Sequence, residues 1–132
     1  MSHMSRSVDL EIDLPSRNEV QAGLRVQTFE RLSRVFGLTE PNLGRHLSIP
    51  PATLYRRRSS GRFSRAESDR MARLARLYLR GLSVLGGREP VREWFMAPNP
   101  SLGGRKPFDL TDTDPGCVEV DRLLGRIEYG VF

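Results

Sequence analysis

The sequence predicts an all-α chain, a helix-turn-helix half followed by a smaller helical half. Three observations predict it. From Asn18 onward, apolar residues recur at the three-and-four spacing of helices that bury one face. Residues 38–64, "LTEPNLGRHLSIPPATLYRRRSSGRFS", read as two short helices joined by a tight turn. Gly86-Gly87 then interrupts the pattern and divides the chain. The expected organisation is a leading segment 1–17, a helix-turn-helix domain 18–86 and a C-terminal domain 87–132.

Each element has its own signal. The opening "MSHM" reads as a cloning scar, with the native start at Met4 or later. "SVDLEIDLP" (7–15) alternates Val8, Leu10, Ile12 and Leu14 with Asp9, Glu11 and Asp13. That period of two reads either as a strand closed by Pro15 or as an acidic disordered tail. From Asn18 a helix is expected with Val20, Leu24, Phe29, Leu32 and Phe36 inward and Gly37 just past its end. Thr39 can cap a short helix that buries Leu43 and Leu47; Ser48 turns the chain and Ile49 returns to the core. Pro50-Pro51 open the next short helix, where a missing N–H is harmless, and Leu54 continues the buried side. Ser64 and Glu67 form a capping box for a long helix to about Leu85, with Met71, Leu74, Ala75, Tyr78 and Leu85 on one face. A short helix near Pro90 to Met96 carries Trp94 and Phe95, both expected in the core. The loop "APNPSLGGRKP" cannot be helix, and Asn99 and Asp109 are residue types that tie such loops to their own backbone. A last helix from Thr113 or Asp114 to about Tyr129 has Cys117, Val120, Leu124 and Ile127 as its apolar stripe.

Composition excludes several function classes. The 132 residues suffice for one compact domain or two small ones. A single cysteine, Cys117, gives no disulfide framework and no metal pair. Beyond the scar, His46 is the one remaining histidine, so no nucleophile–base pair can be drawn, and no Gly-rich phosphate loop follows a strand. No run of about 18 apolar residues exists to span a membrane. The expectation is a cytoplasmic chain that is not an enzyme.

The charge is basic, 21 Lys+Arg against 16 Asp+Glu, and every basic residue except Lys106 is arginine. Arginine pairs bidentately with phosphate and carboxylate, which suits nucleic acid or an acidic partner. From Arg45 to Arg80 ten arginines face only Glu67 and Asp69, a local surplus of eight. In the second helix of the motif Ala52, Thr53, Tyr55 and Arg56 lie where base edges are read, with Arg57, Arg58 and Arg62 behind them for phosphate. Against this, Pro50 and Pro51 remove two donors that could grip a phosphate, and Arg70, Arg73, Arg76 and Arg80 also fit a solvated helix face. Operator binding and a motif kept as scaffold both remain open at this point.

The C-terminal part is more distinctive. In order it shows Trp94, Pro98-Asn99-Pro100, Leu102-Gly103-Gly104, Pro107, Asp109-Leu110, Gly116, Val120, Leu123-Leu124 and the closing run Arg126 to Phe132. With the helix-turn-helix upstream, this resembles the antitoxins of the Xre/MbcA/ParS family over residues 18–132. Pro41 in the first turn of its helix departs from the pattern at a position that tolerates proline, and residues 1–17 carry no resemblance. The resemblance implies a dimer whose partner is a RES-domain toxin that degrades NAD or uses it to ADP-ribosylate a target. It also implies that the C-terminal region covers the toxin's active site, that many members repress their own operon, and that the antitoxin needs no cofactor of its own. The closing run either folds back onto its own domain or buries in a partner; the resemblance favours the partner, and the residues then expected at the toxin are Arg126, Glu128, Tyr129, Gly130, Val131 and Phe132. Glu128 and the terminal carboxylate are placed to imitate cofactor phosphates, and Tyr129 or Phe132 to fill an apolar subsite. The alternative is a stand-alone dimeric helix-turn-helix regulator.

Overall fold

Chain geometry near Gly23 determines how the first half is built. The computed structural model describes residues 12–130. Within them lie eight α-helices, one 3₁₀ turn and no strand; two isolated β-bridges pair Arg25 with Arg62 and Asn99 with Arg105. Most of the 7–15 alternation lies outside the described residues. In its described part Ile12 is buried while Leu14 is 55% exposed, and no strand forms. The chain passes directly into a capping box, where Ser16 N–H donates to Glu19 Oε1 (2.8 Å) and Glu19 N–H to Ser16 Oγ (3.1 Å).

The chain divides into two compact units, Met1–Ala75 and Arg76–Phe132. The first begins with α1 (Arg17–Ala22) and α2 (Val26–Phe36), which corrects the expectation of one helix from Asn18 to Phe36. The break is made by tertiary hydrogen bonds. Leu24 N–H donates to Ser68 Oγ (2.7 Å), Leu24 O accepts from Phe63 N–H (2.9 Å), and Val26 N–H donates to Gly61 O (3.1 Å). These remove Leu24 from any helical ladder. Gly23, at φ 95°, makes the approach possible: a Cβ there would stand 2.3 Å from Phe63 O. Then follow α3 (Glu40–His46), capped by Thr39 Oγ1 from Asn42 N–H, and α4 (Pro51–Ser60), begun by Pro51 as expected. Ser48, at φ 60°, makes the turn between them. Phe29, Leu32, Phe36, Leu43, Leu47, Ile49, Leu54 and Phe63 are buried, with Phe29 stacked on Phe63 at 5.3 Å.

α5 (Arg65–Leu85) opens in the first unit with the expected capping box: Ser64 N–H donates to Glu67 Oε1 (2.8 Å) and Glu67 N–H to Ser64 Oγ (3.2 Å). Its Met71, Leu74, Ala75 and Tyr78 are buried.

The second unit contains the end of α5, α6 (Arg88–Met96), the 3₁₀ turn Pro100–Leu102, α7 (Pro107–Leu110) and α8 (Asp114–Glu128). Phe95 is buried, but Trp94 is half-buried and meets it edge-on at 5.0 Å. The loop is tied through Asn99, whose Oδ1 accepts from Ser101 N–H (2.9 Å) and whose backbone bonds Gly104 and Arg105. It is not wholly irregular, since Pro100–Leu102 makes a 3₁₀ turn. Asp109 lies exposed inside α7, a helical turn that sequence reasoning missed. Thr113 Oγ1 caps α8 from Gly116 N–H (3.1 Å), and Cys117, Val120, Leu123 and Leu124 are its buried stripe; Ile127 is half-buried.

Candidate functional site

Two surfaces carry the residues singled out from sequence. The first is the exposed side of α4. The buried Leu54 anchors the helix inward, and the Ser48 turn sets its start. Ala52, Tyr55 and Arg56 are then exposed, Tyr55 by 73%, while Thr53 is half-buried. Arg56 Nη2 donates to Thr53 Oγ1 (3.2 Å), an i,i−3 bond that keeps the guanidinium on its own helix. A solvent-facing aromatic next to a cation, on the second helix of such a motif, can reach base edges and backbone phosphate.

The three arginines expected behind this face are engaged within the chain. Arg57 grips Glu67 through both carboxylate oxygens, Nε to Oε1 at 2.8 Å and Nη2 to Oε2 at 3.0 Å. This bond is the largest influence on both groups. It raises the Arg57 pKa and lowers that of Glu67, burial opposing in each case, and Ser64 N–H adds to the lowering. Arg58 pairs with Glu40 and lies 3.7 Å from Glu30. Arg62 Nη1 donates to Gly23 O (2.8 Å). Sequence reasoning saw Glu67 as a helix cap but missed its second role. The capping box is local, whereas Arg57 stands ten residues earlier across a loop.

The second surface is the end of α8. Arg126, Glu128, Tyr129 and Gly130 are all exposed, Tyr129 by 78%. Tyr129 N–H still donates to Gly125 O (3.1 Å), and Gly130 turns left-handed at φ 70° with its N–H on Ile127 O (3.2 Å). Val131 and Phe132 lie outside the described residues. Glu128 is not a free carboxylate: Arg80 Nη1 stands 3.3 Å away, and Arg80 Nε is 3.0 Å from Asp121. Arg80 thus bridges two acids seven residues apart on α8, as helical periodicity allows. Among the described residues no group of three His, Cys, Asp or Glu side chains could hold a metal ion, and no helix is long and apolar enough to cross a membrane.

A helix-turn-helix half with an exposed second helix, followed by a small helical half ending in an exposed tyrosine, defines a class: a two-part helical chain built on a helix-turn-helix. Comparison with known proteins narrows it. Residues 18–76 match the antitoxin Xre-like helix-turn-helix domain, and residues 80–130 match the antitoxin Xre/MbcA/ParS C-terminal toxin-binding domain. An Antitoxin Xre from Yersinia enterocolitica is 32% identical over 136 residues, covering 97% of this chain and 92% of that protein. One from Photorhabdus laumondii is 35% identical over 80 residues, 58% of this chain and 54% of its own length. A Prs ADP-ribosylating antitoxin from a Sphingobium species is 26% identical over 123 residues, 86% of this chain and 77% of that protein. The chain belongs to the Xre/MbcA/ParS antitoxin family.

Proposed function

We propose that this chain neutralises a RES-domain, NAD-consuming toxin by covering its active site with the end of α8, and that as a homodimer it binds operator DNA through α4. The observation that carries the first part is Tyr129, a large aromatic exposed by 78% at the end of the region matching a toxin-binding domain. An exposed aromatic at a helix end is a ready anchor for a cavity that binds an adenine or nicotinamide ring. Glu128 enters a cationic phosphate subsite only by exchanging Arg80 for cations of the toxin, and Asp121 remains to hold Arg80 when it does. Tyr129 is therefore the leading contact and Glu128 the second. The Sphingobium relative is named a Prs ADP-ribosylating antitoxin, and the ADP-ribosylation in that name supports a partner that uses NAD. The DNA reading rests on Tyr55 and Arg56, and two copies would present two such helices about one DNA turn apart.

Co-expression with a RES-domain, NAD-consuming toxin tests the first part. Growth should be restored by the wild-type chain and lost again with Tyr129→Ala. Full rescue by Tyr129→Ala removes the end of α8 from the mechanism. Gel shift on the DNA upstream of the reading frame, with sedimentation for the dimer, tests the second part.

A further inference from the structure

The arginines around α4 divide by how firmly the chain holds them. Arg58 is held by Glu30 and Glu40, and the three side chains are partly exposed, at 40%, 37% and 29%. Pairs of that kind contribute little to stability, so an arriving phosphate displaces them easily. Arg57 differs. Its two bonds to Glu67 form a parallel fork, and the Glu67 side chain is only 10% exposed. Glu67 is fixed in turn by its place in the capping box, where Oε1 also accepts Ser64 N–H. The carboxylate cannot follow Arg57 outward, and Arg57 cannot leave without stranding a buried charge.

We propose that Glu67 withholds Arg57 from DNA phosphate, so that α4 binds with weak salt dependence and takes more of its selectivity from Tyr55 and Arg56. This rests on the DNA-binding reading above. Phosphate contacts strengthen binding to every sequence alike, whereas contacts to base edges discriminate. A motif that holds back one of its cations gives up general affinity and keeps the discriminating share. Glu67 is then a specificity-determining residue, although it acts through Arg57 and touches no DNA itself.

The test is salt-dependent binding of the full chain to the DNA upstream of its reading frame, comparing wild type, Glu67→Gln and the double variant Glu67→Gln/Arg57→Gln. Glutamine keeps the oxygen that accepts Ser64 N–H and removes the charge that holds Arg57. Glu67→Gln should steepen the slope of log K against log salt by about 0.9, one phosphate contact, and should tighten binding to unrelated DNA. The double variant should return to the wild-type slope. An unchanged or shallower slope for folded Glu67→Gln overturns the proposal, a shallower one showing that Glu67 presents Arg57 to the backbone. Absence of binding by wild type and both variants even at low salt defeats the DNA-binding reading itself, a distinguishable result. Should Glu67→Gln not fold, the Arg57 side-chain Nε–H signal of the wild type decides. It should stay unmoved when DNA is added, and a shift on binding overturns the proposal.

Discussion

Gly116 leaves no room for any side chain. A Cβ built there would stand 1.7 Å from Leu110 O and 2.7 Å from its carbonyl carbon. The missing atom is what lets the first turn of α8 lie against the end of α7. Gly116→Ala must separate the two elements, and overpacking of this kind costs typically about 1–3 kcal/mol. A lowered urea midpoint with an unchanged slope is the expected result. Glu67 supplies a second residue-scale prediction. Its carboxyl is held below the ordinary value of 4.5 by Arg57, with burial opposing. A depressed native pKa gives stability that is complete above the unfolded value and is lost as pH falls through the native one. Wild type should therefore be more stable than Glu67→Gln near neutral pH, and the gap should narrow as pH falls below 4.5. A gap in thermal midpoint that is independent of pH would contradict this. Residues of this kind were only half legible in the sequence. Ser64 and Glu67 announce a cap because the motif is local. Arg57 lies outside that window, and only the fold brings it to Glu67.

Elements were legible where periodicity was long or the start signal was chemical. The long α5, the Thr39 cap, the Pro51 start of α4 and the Thr113 start of α8 all follow from residues adjacent to the feature they make. The α1–α2 break and α7 were not legible, because both depend on contacts distant in sequence or on a single turn of helix. Val20 and Leu24 fit a helical stripe that continues to Phe36, so periodicity alone joins what Ser68 and Phe63 separate. Ser68 is fully buried, and its hydroxyl satisfies Leu24 N–H at 2.7 Å, a donor no helix turn can pair. Ser68→Ala leaves that buried N–H without a partner, a loss of about 1–3 kcal/mol. The same substitution should accelerate hydrogen exchange at the Leu24 amide more than at the core amides of α2. Equal exchange in both chains would show that the break is held by the Phe63 and Gly61 bonds alone.

For the whole molecule, the charge block read along the chain is partly neutralised inside each unit. The surplus of eight between Arg45 and Arg80 counts Arg58, whose acids are Glu30 and Glu40, and Arg80, whose acids are Asp121 and Glu128. Arg70 keeps its charge, but its Nε is turned onto Leu47 O at 2.7 Å. The cationic charge left without an acid partner is therefore smaller than the linear count. The DNA reading rests on what α4 exposes more than on net charge. This arrangement also lets the two proposed activities be separated. Removing Glu128 to Phe132 takes away the exposed Tyr129 and one of the two acids on Arg80, but leaves Asp121 at 3.0 Å and the buried stripe of Cys117, Val120, Leu123 and Leu124. The described part of the deleted segment, Glu128 to Gly130, is exposed throughout, so the helical content should be preserved in circular dichroism. Binding to DNA should be retained, since no α4 residue is touched. Neutralisation should fail: burying one tyrosine or phenylalanine is worth about 1.5–3 kcal/mol, roughly ten- to a hundredfold in affinity, and the deletion removes one of each. Growth of cells that co-express toxin and truncated chain measures this directly. Continued growth would move the toxin contact up α8, toward exposed Val118. Loss of helical signal would instead make the end of the chain part of the fold.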